Sequence, residues 1–285
     1  MEWVERVVVR DGVRLRCLDS GGSGPPIVLL HGLAGHAGEW EAMARPLGSG
    51  HRVVTVDQRG HGRSERYPGD VSRAVYVEDV VAVIERLGLG TVVLIGQSLG
   101  GHTAMLTAAA CPELVDALIL VEAGAGGPNP AVPERIGEWL ASWPVPFGSY
   151  EAAVDFFGGG PLGRGWADGL EERADGGWPR FDRDVMVASL ADNARRSFWP
   201  EWERVRCPTM LVLAGSGLLP LDEAGEMIRR RPGTVAVSIP ETGHDLHLER
   251  PERLYGVIAS FLGDIDGPSM SHRSPMGTEC SVNEN

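Results

Sequence analysis

The 285-residue chain carries 26 Lys and Arg against 39 Asp and Glu, a net charge of −13, and is 43% hydrophobic. That hydrophobic share can fill the core of one large domain or two small ones, whereas the acidity opposes a nucleic acid or an anionic membrane as partner, since either needs a basic face. The N-terminus has no long apolar leader and no run approaches the ~20 apolar residues of a membrane span, so cytoplasmic residence is expected.

In chain order, Val4 to Arg10 and Val13 to Leu18 read as a hairpin, because Asp11-Gly12 supplies the positive φ angles of a two-residue turn. A Gly/Pro loop precedes Ile27 to Leu30, a short apolar strand of the kind buried on both faces of a parallel sheet. Residues 36 to 48 read as helical, Arg52 to Val56 as a strand, 57 to 64 as a glycine-rich turn, and Asp79 to Leu87 as an amphipathic helix closed by Gly88 and Gly90. A buried strand over Val92 to Ile95 is followed by a small-residue helix that stops at Cys111-Pro112, and then by a strand over Ala117 to Val121. Beyond Gly127 the alternation breaks off. Helical segments are predicted at 133 to 142, 150 to 157 and 183 to 196, in a region holding six of the eight tryptophans and five of the six phenylalanines. These aromatics form a small helical core of their own, and some of them would also line an apolar pocket roofing the sheet. The pattern resumes with a strand over Thr209 to Ala214, a helix over 222 to 230, a last strand over Val235 to Ile239 and a last helix over Pro251 to Leu262.

Strands and helices alternating at this spacing require right-handed crossovers. The fold class is therefore α/β, with a mostly parallel eight-stranded sheet covered by helices on both faces. The expected organisation is a core of residues 1–127 and 206–263, a helical cap over 128–205 and a polar, disordered tail over 264–285. Cysteines 17, 111, 207 and 280 have no C-x-x-C spacing and no matching histidine cluster, so reduced, mostly buried thiols are expected.

The chain is organised around Gly96-Gln97-Ser98-Leu99-Gly100-Gly101, where the buried strand meets the small-residue helix. A nucleophilic serine lifted above a sheet edge needs a sharp strand-to-helix turn whose flanking positions tolerate no side chain. The G-x-S-x-G pentapeptide is weak alone and gains its meaning from that strand and helix. Together with His31-Gly32-Leu33-Ala34-Gly35, the turn from Asp57 to Ser64, and Gly243-His244 before the last helix, it resembles the α/β-hydrolase superfamily in the order of its motifs. The similarity covers residues 1 to about 263 and is nearest to esterase and lactonase-like members with a helical cap.

A serine hydroxyl near neutral pH needs a base and a third group to hold that base. The resemblance implies that His244, in the turn after the last strand, is the base of Ser98. His247 is its rival, while His31 and His61 support turns, and His36, His51, His102 and His272 are surface or core residues. Many members carry an aspartate after the strand that here is Thr209 to Ala214, but residues 215 to 220 contain no carboxylate. A second location known in the superfamily is the end of the preceding strand, which here holds Glu122. Glu122 is accordingly assigned as the acid, ahead of Asp222 and then Asp245. The backbone N–H groups of Leu33 and Leu99 are the expected oxyanion donors.

The resemblance thus implies hydrolysis of an ester or lactone of a largely apolar small molecule through a Ser98 acyl-enzyme. Carbon-carbon bond hydrolysis, thioester hydrolysis or perhydrolysis by the same residues, and a non-catalytic ligand receptor on the same fold, are the alternatives. No cofactor or metal is expected, because no dinucleotide, phosphate-loop or metal-ligand spacing occurs in a supporting context. Oligomeric state has no signature in the sequence.

Overall fold

A computed structural model describes residues 2–265. The opening hairpin pairs β1 (Val4–Arg10) with β2 (Val13–Asp19), and its two turn residues, Asp11 and Gly12, take φ of 48° and 80° as a two-residue turn demands. β3 (Pro26–Leu30) leads through a short 3₁₀ turn into α1 (Glu41–Leu47), β4 (Arg52–Val56) and α2 (Arg73–Arg86). β5 (Val92–Gln97), α3 (Leu99–Ala110) and β6 (Val115–Val121) complete the first half. α2 begins six residues before the predicted start at Asp79.

Between β6 and the next sheet strand the chain forms α4 (Val132–Ala141), α5 (Tyr150–Phe156), α6 (Gly160–Ala167), a small hairpin of β7 (Glu171–Arg173) and β8 (Gly176–Trp178), then α7 (Arg183–Ser189), α8 (Ala191–Arg195) and α9 (Trp199–Arg204). The hairpin, α6 and α9 were not expected from sequence, and the predicted helix over 183 to 196 is broken at Leu190. The sheet then resumes with β9 (Thr209–Ala214), α10 (Leu221–Arg230) and β10 (Val235–Ile239), followed by the single turn α11 (Leu246–Glu249) and the closing helix α12 (Pro251–Ile265). Residues 264 and 265, assigned to the tail from sequence, continue that helix, and the remainder of the predicted tail lies outside the described residues.

The eight strands lie in the order β1-β2-β4-β3-β5-β6-β9-β10, antiparallel across β1, β2 and β4 and parallel from β4 to β10. Alternate side chains enter opposite cores, as the two-residue period of a strand requires. Val28, Leu30, Val54 and Leu94 pack with Val80 of α2 and Met105 of α3, while Ile27, Leu29, Val53 and Ile95 pack with Met43 of α1 and Ile258 of α12. With both faces covered, the strands read as the continuous apolar runs seen in the sequence.

β3 has β4 on one side and β5 on the other, so the chain order reverses there. In an open α/β sheet such a switch point opens a crevice at the carboxyl ends of the strands. The loops after β3, β5, β6, β9 and β10 all leave from that edge. Cys17 and Cys207 are buried free thiols, whereas the expectation of a reduced thiol fails at Cys111, which is disulfide-bonded. No helix among the described residues is long and apolar enough to cross a membrane.

Candidate active site

Ser98 joins β5 to α3 with φ 50° and ψ −118°, a conformation that costs a non-glycine residue on the order of 1–3 kcal/mol. Its neighbours enforce the turn. A Cβ on Gly96 would strike the carbonyl of Gly100, one on Gly100 would strike the carbonyl oxygens of Leu30 and His31, and one on Gly101 would strike the Cβ of Ala123. Backbone bonds complete the clamp: Ser98 N–H donates to Val121 O at 2.9 Å, and His102 N–H donates to Ser98 O at 2.9 Å. The Leu99 N–H opens α3 and belongs to the first amides of a helix, which have no partner within it.

The loop after β3 comes close to this turn because Gly32 has no side chain; a Cβ there would meet the Gln97 side chain and lie 3.4 Å from Ser98 Cβ. His31 fixes the loop from behind. Gln58 N–H donates to its Nε2 at 3.0 Å, so Nδ1 carries the proton and donates to Gly32 O at 2.7 Å. Burial holds the His31 imidazole down at about 4, which agrees with this neutral tautomer. The next residue is Leu33, which lines one cavity together with Ser98 and Leu99. His61, whose Nδ1–H donates to Arg59 O at 2.8 Å, supports a neighbouring turn as expected.

Glu122 follows β6 and also sits at positive φ, 51°. Its buried carboxylate accepts from Ala214 N–H at 2.7 Å through Oε1 and from Leu218 and Leu219 N–H at 2.8 and 3.3 Å through Oε2. Oε2 also lies 3.4 Å from Nδ1 of His244. Burial alone would push this carboxyl up, yet the His244 contact and the three amides hold it below its ordinary range. The loop after β9, which lacks a carboxylate, thus wraps the one supplied by β6, and Gly217 allows the closest approach, since a Cβ there would overlap the Glu122 carboxylate.

His244 follows β10 after a turn in which Glu241 has φ 60° and Thr242 Oγ1 donates to Ile239 O at 2.6 Å. The strand that leads into Ser98 grips this turn directly: Gln97 Nε2 donates to His244 O at 3.1 Å and to Asp245 Oδ1 at 3.3 Å. Asp245 also accepts from Trp166 Nε1 at 3.1 Å, so its contacts run to Gln97 and α6. Asp222 is exposed in the first turn of α10, where Oδ1 accepts from Glu223 N–H at 3.0 Å. Among the three candidate acids, only Glu122 has a contact with His244 among the described residues. The rival histidine, His247, is buried against Trp40 with Nε2 3.3 Å from Glu39 Oε2.

Ser98, His244 and Glu122 line a single cavity of about 720 Å³. Its other wall comes from the segment between β6 and β9, through Val132, Ile136 and Trp139 of α4 and Trp166 of α6. Both expected uses of the aromatics are present. Trp143 is the buried centre of a cluster with Trp139, Phe157, Trp166 and Phe181, at ring distances of 4.8–5.9 Å, while Trp139 and Trp166 also face the cavity. Sequence reasoning missed Gln97, Glu39 and His102 as cavity residues. For Gln97 a signal existed, a polar side chain ending an apolar strand beside the serine.

The alpha/beta hydrolase family model matches residues 27–257, most of the chain. The chain belongs to the alpha/beta hydrolase family. This hydrolase is 27% identical over 259 residues to a putative esterase/lipase of Haemophilus influenzae, covering 84% of this chain and 83% of that protein. It is 29% identical over 258 residues to the mouse (Mus musculus) sn-1-specific diacylglycerol lipase ABHD11, covering 86% and 83% of the two chains. The crystal structure of E-2-(acetamidomethylene)succinate hydrolase superposes with a TM-score of 0.83 at 22% identity, over 92% of this chain and 100% of that one, a likeness of fold.

Proposed function

We propose that the hydrolase cleaves an ester or lactone of a largely apolar small molecule through a covalent Ser98 ester. The observation that carries this reading is the Glu122–His244 contact at 3.4 Å beside a cavity that both residues share with the strained Ser98 turn. In this mechanism Ser98 Oγ attacks the carbonyl carbon as Nε2 of His244 takes its proton. Glu122, accepting from Nδ1–H, holds the ring in that tautomer and stabilises the imidazolium. The Leu33 and Leu99 amides receive the oxyanion, each donor being worth on the order of 10² to 10³ in rate. Imidazolium then protonates the leaving alkoxide. Water, deprotonated by His244, attacks the acyl-enzyme and releases the acid and Ser98.

In the same proposal residues 1–127 and 206–263 form the catalytic core and residues 128–205 the cap. Trp139, Trp166 and Ile136 on the cavity wall favour apolar groups, because a methylene or aromatic ring there leaves water without displacing a hydrogen bond. The test is steady-state hydrolysis of short p-nitrophenyl esters and of unsubstituted aliphatic lactones by the full chain and by His244→Ala. Multiple turnovers that His244→Ala loses support the proposal. A single slow turnover with tight product retention supports a receptor instead, and turnover that survives His244→Ala overturns the assigned chemistry.

A further inference from the structure

His102 lies one helical turn beyond Ser98 on α3. Residues four apart share a helix face, and a helical side chain leans toward the N-terminus, here toward the serine. The imidazole lines the same cavity as Ser98 and is only 4% exposed. It stands edge-on to Phe198 with ring centres 4.4 Å apart. Neither of its ring nitrogens has a hydrogen-bond partner among the described residues. Asn193 of α8 lines the same cavity, and its buried Oδ1 is also unpartnered. The cavity wall otherwise includes Ala123, Leu190 and Leu219.

Native structures leave few buried polar atoms without partners, and each one calls for a reason. Two such residues lining one cavity are readily explained by a ligand that supplies the missing bonds. Burial, with the charges of Arg73 and Arg196 adding to it, holds the imidazole well below its ordinary value of 6.5. At neutral pH the ring is therefore uncharged, with one N–H to give and one nitrogen to receive. A ketone can accept from it, and a hydroxyl can do either. The acyl chain is the part of an ester that stays tethered to Ser98, so it is the part held one helical turn from His102.

We propose that His102 and Asn193 form a polar subsite that hydrogen-bonds an oxygen substituent on the acyl chain, so that the hydrolase prefers oxo- or hydroxyacyl esters to plain alkanoyl ones. This rests on the Ser98 acyl-enzyme reading and adds a substrate class to it. A site built to bond a substrate oxygen discriminates strongly against the analogue that lacks it, because the site's own polar atoms are then left unpaired.

The test compares kcat/KM for p-nitrophenyl levulinate, which carries a ketone two methylenes from the ester carbonyl, with that for p-nitrophenyl pentanoate. Wild type is expected to favour levulinate by about tenfold or more. His102→Leu should erase that ratio by lowering levulinate far more than pentanoate, and His102→Gln, which keeps a donor and an acceptor, should recover part of it. Asn193→Ala, a change on a less buried helix, should reduce the ratio independently. A wild-type ratio near one, an equal fall for both esters in His102→Leu, or a raised thermal midpoint in that variant with the ratio unchanged would each overturn the subsite. Failure of wild type to turn over either ester overturns the Ser98 reading, whereas turnover of both at a ratio near one overturns the subsite alone, which separates the two failures.

Discussion

Glu122 and His244 meet through Oε2 and Nδ1 at 3.4 Å although 122 positions separate them in the chain. The same oxygen accepts from Leu218 and Leu219, and the other from Ala214, so three amides hold the carboxylate besides the histidine. Glu122→Gln keeps the shape but turns one oxygen into a donor, facing either the imidazole N–H or the Ala214 amide. We expect kcat to fall by about 10² to 10⁴, and stability by about 1–3 kcal/mol from the amides left unpaired. Steady-state kinetics with a denaturant titration check both.

Gly217 bears on the same carboxylate. A methyl group at this position would overlap Glu122, and the carboxylate has little room to retreat among its three amides. Gly217→Ala is therefore expected to displace Glu122 and lower kcat by about tenfold or more, since small misplacements at a catalytic group carry large rate costs. Its measurement is kcat beside the thermal midpoint, with kcat falling further than stability accounts for.

Gln97 ties the strand that presents Ser98 to the backbone of His244 at 3.1 Å. Gln97→Met preserves volume and removes that tie. The expected result is a fall in kcat of about tenfold that exceeds any change in KM, because the lost bond positions His244, the base of the proposed mechanism. Stopped and steady-state assays on one ester resolve the two constants.

Stability should peak between the titrations of two kinds of buried group. Burial lowers His31 and His247 to about 4 and His61 to about 3, from an ordinary value of 6.5. The unfolded chain therefore binds protons at these sites where the native one does not, and stability is lost as pH falls from 6.5 toward 4. Glu39 acts oppositely. Burial raises it from 4.5 to about 8, so its contribution is complete below 4.5 and is lost as pH rises toward 8. Between 4.5 and 6.5 these three histidines, joined by the buried His102, outweigh Glu39, and above 6.5 only Glu39 among these five still changes. Thermal midpoints measured from about pH 5 to about pH 8.5 should be highest near pH 6.5, with Glu39→Gln flattening the alkaline side.

Much of the fold was legible because the signals were local. Asp11-Gly12 dictates its own turn, and the runs at Arg52–Val56, Thr209–Ala214 and Val235–Ile239 became strands with the expected bounds. Glu122 was legible as a charge ending an apolar strand, which is costly to bury without partners. What escaped was set by tertiary contact. α6 reads Gly160-Pro-Leu-Gly-Arg-Gly-Trp-Ala, a poor helix by propensity, and its glycines serve close packing: Gly163 against the Val154 carbonyl and Gly165 against Leu248. The first turn of α2 opens on a charged residue, yet Arg73 is buried there, donating to Leu99 O and Thr103 Oγ1 on the helix that follows the serine. Glu39 and His247 are 208 positions apart and show no mutual pattern until the chain has folded.

The central claim is that Ser98 is an acylated nucleophile, and peptide mapping after exposure to a fluorophosphonate probe tests it most directly. The account predicts one adduct, on the peptide containing Ser98, with loss of ester turnover in step with labelling and no adduct in Ser98→Ala. Labelling confined to another residue, or ester turnover that persists undiminished in Ser98→Ala, would contradict it.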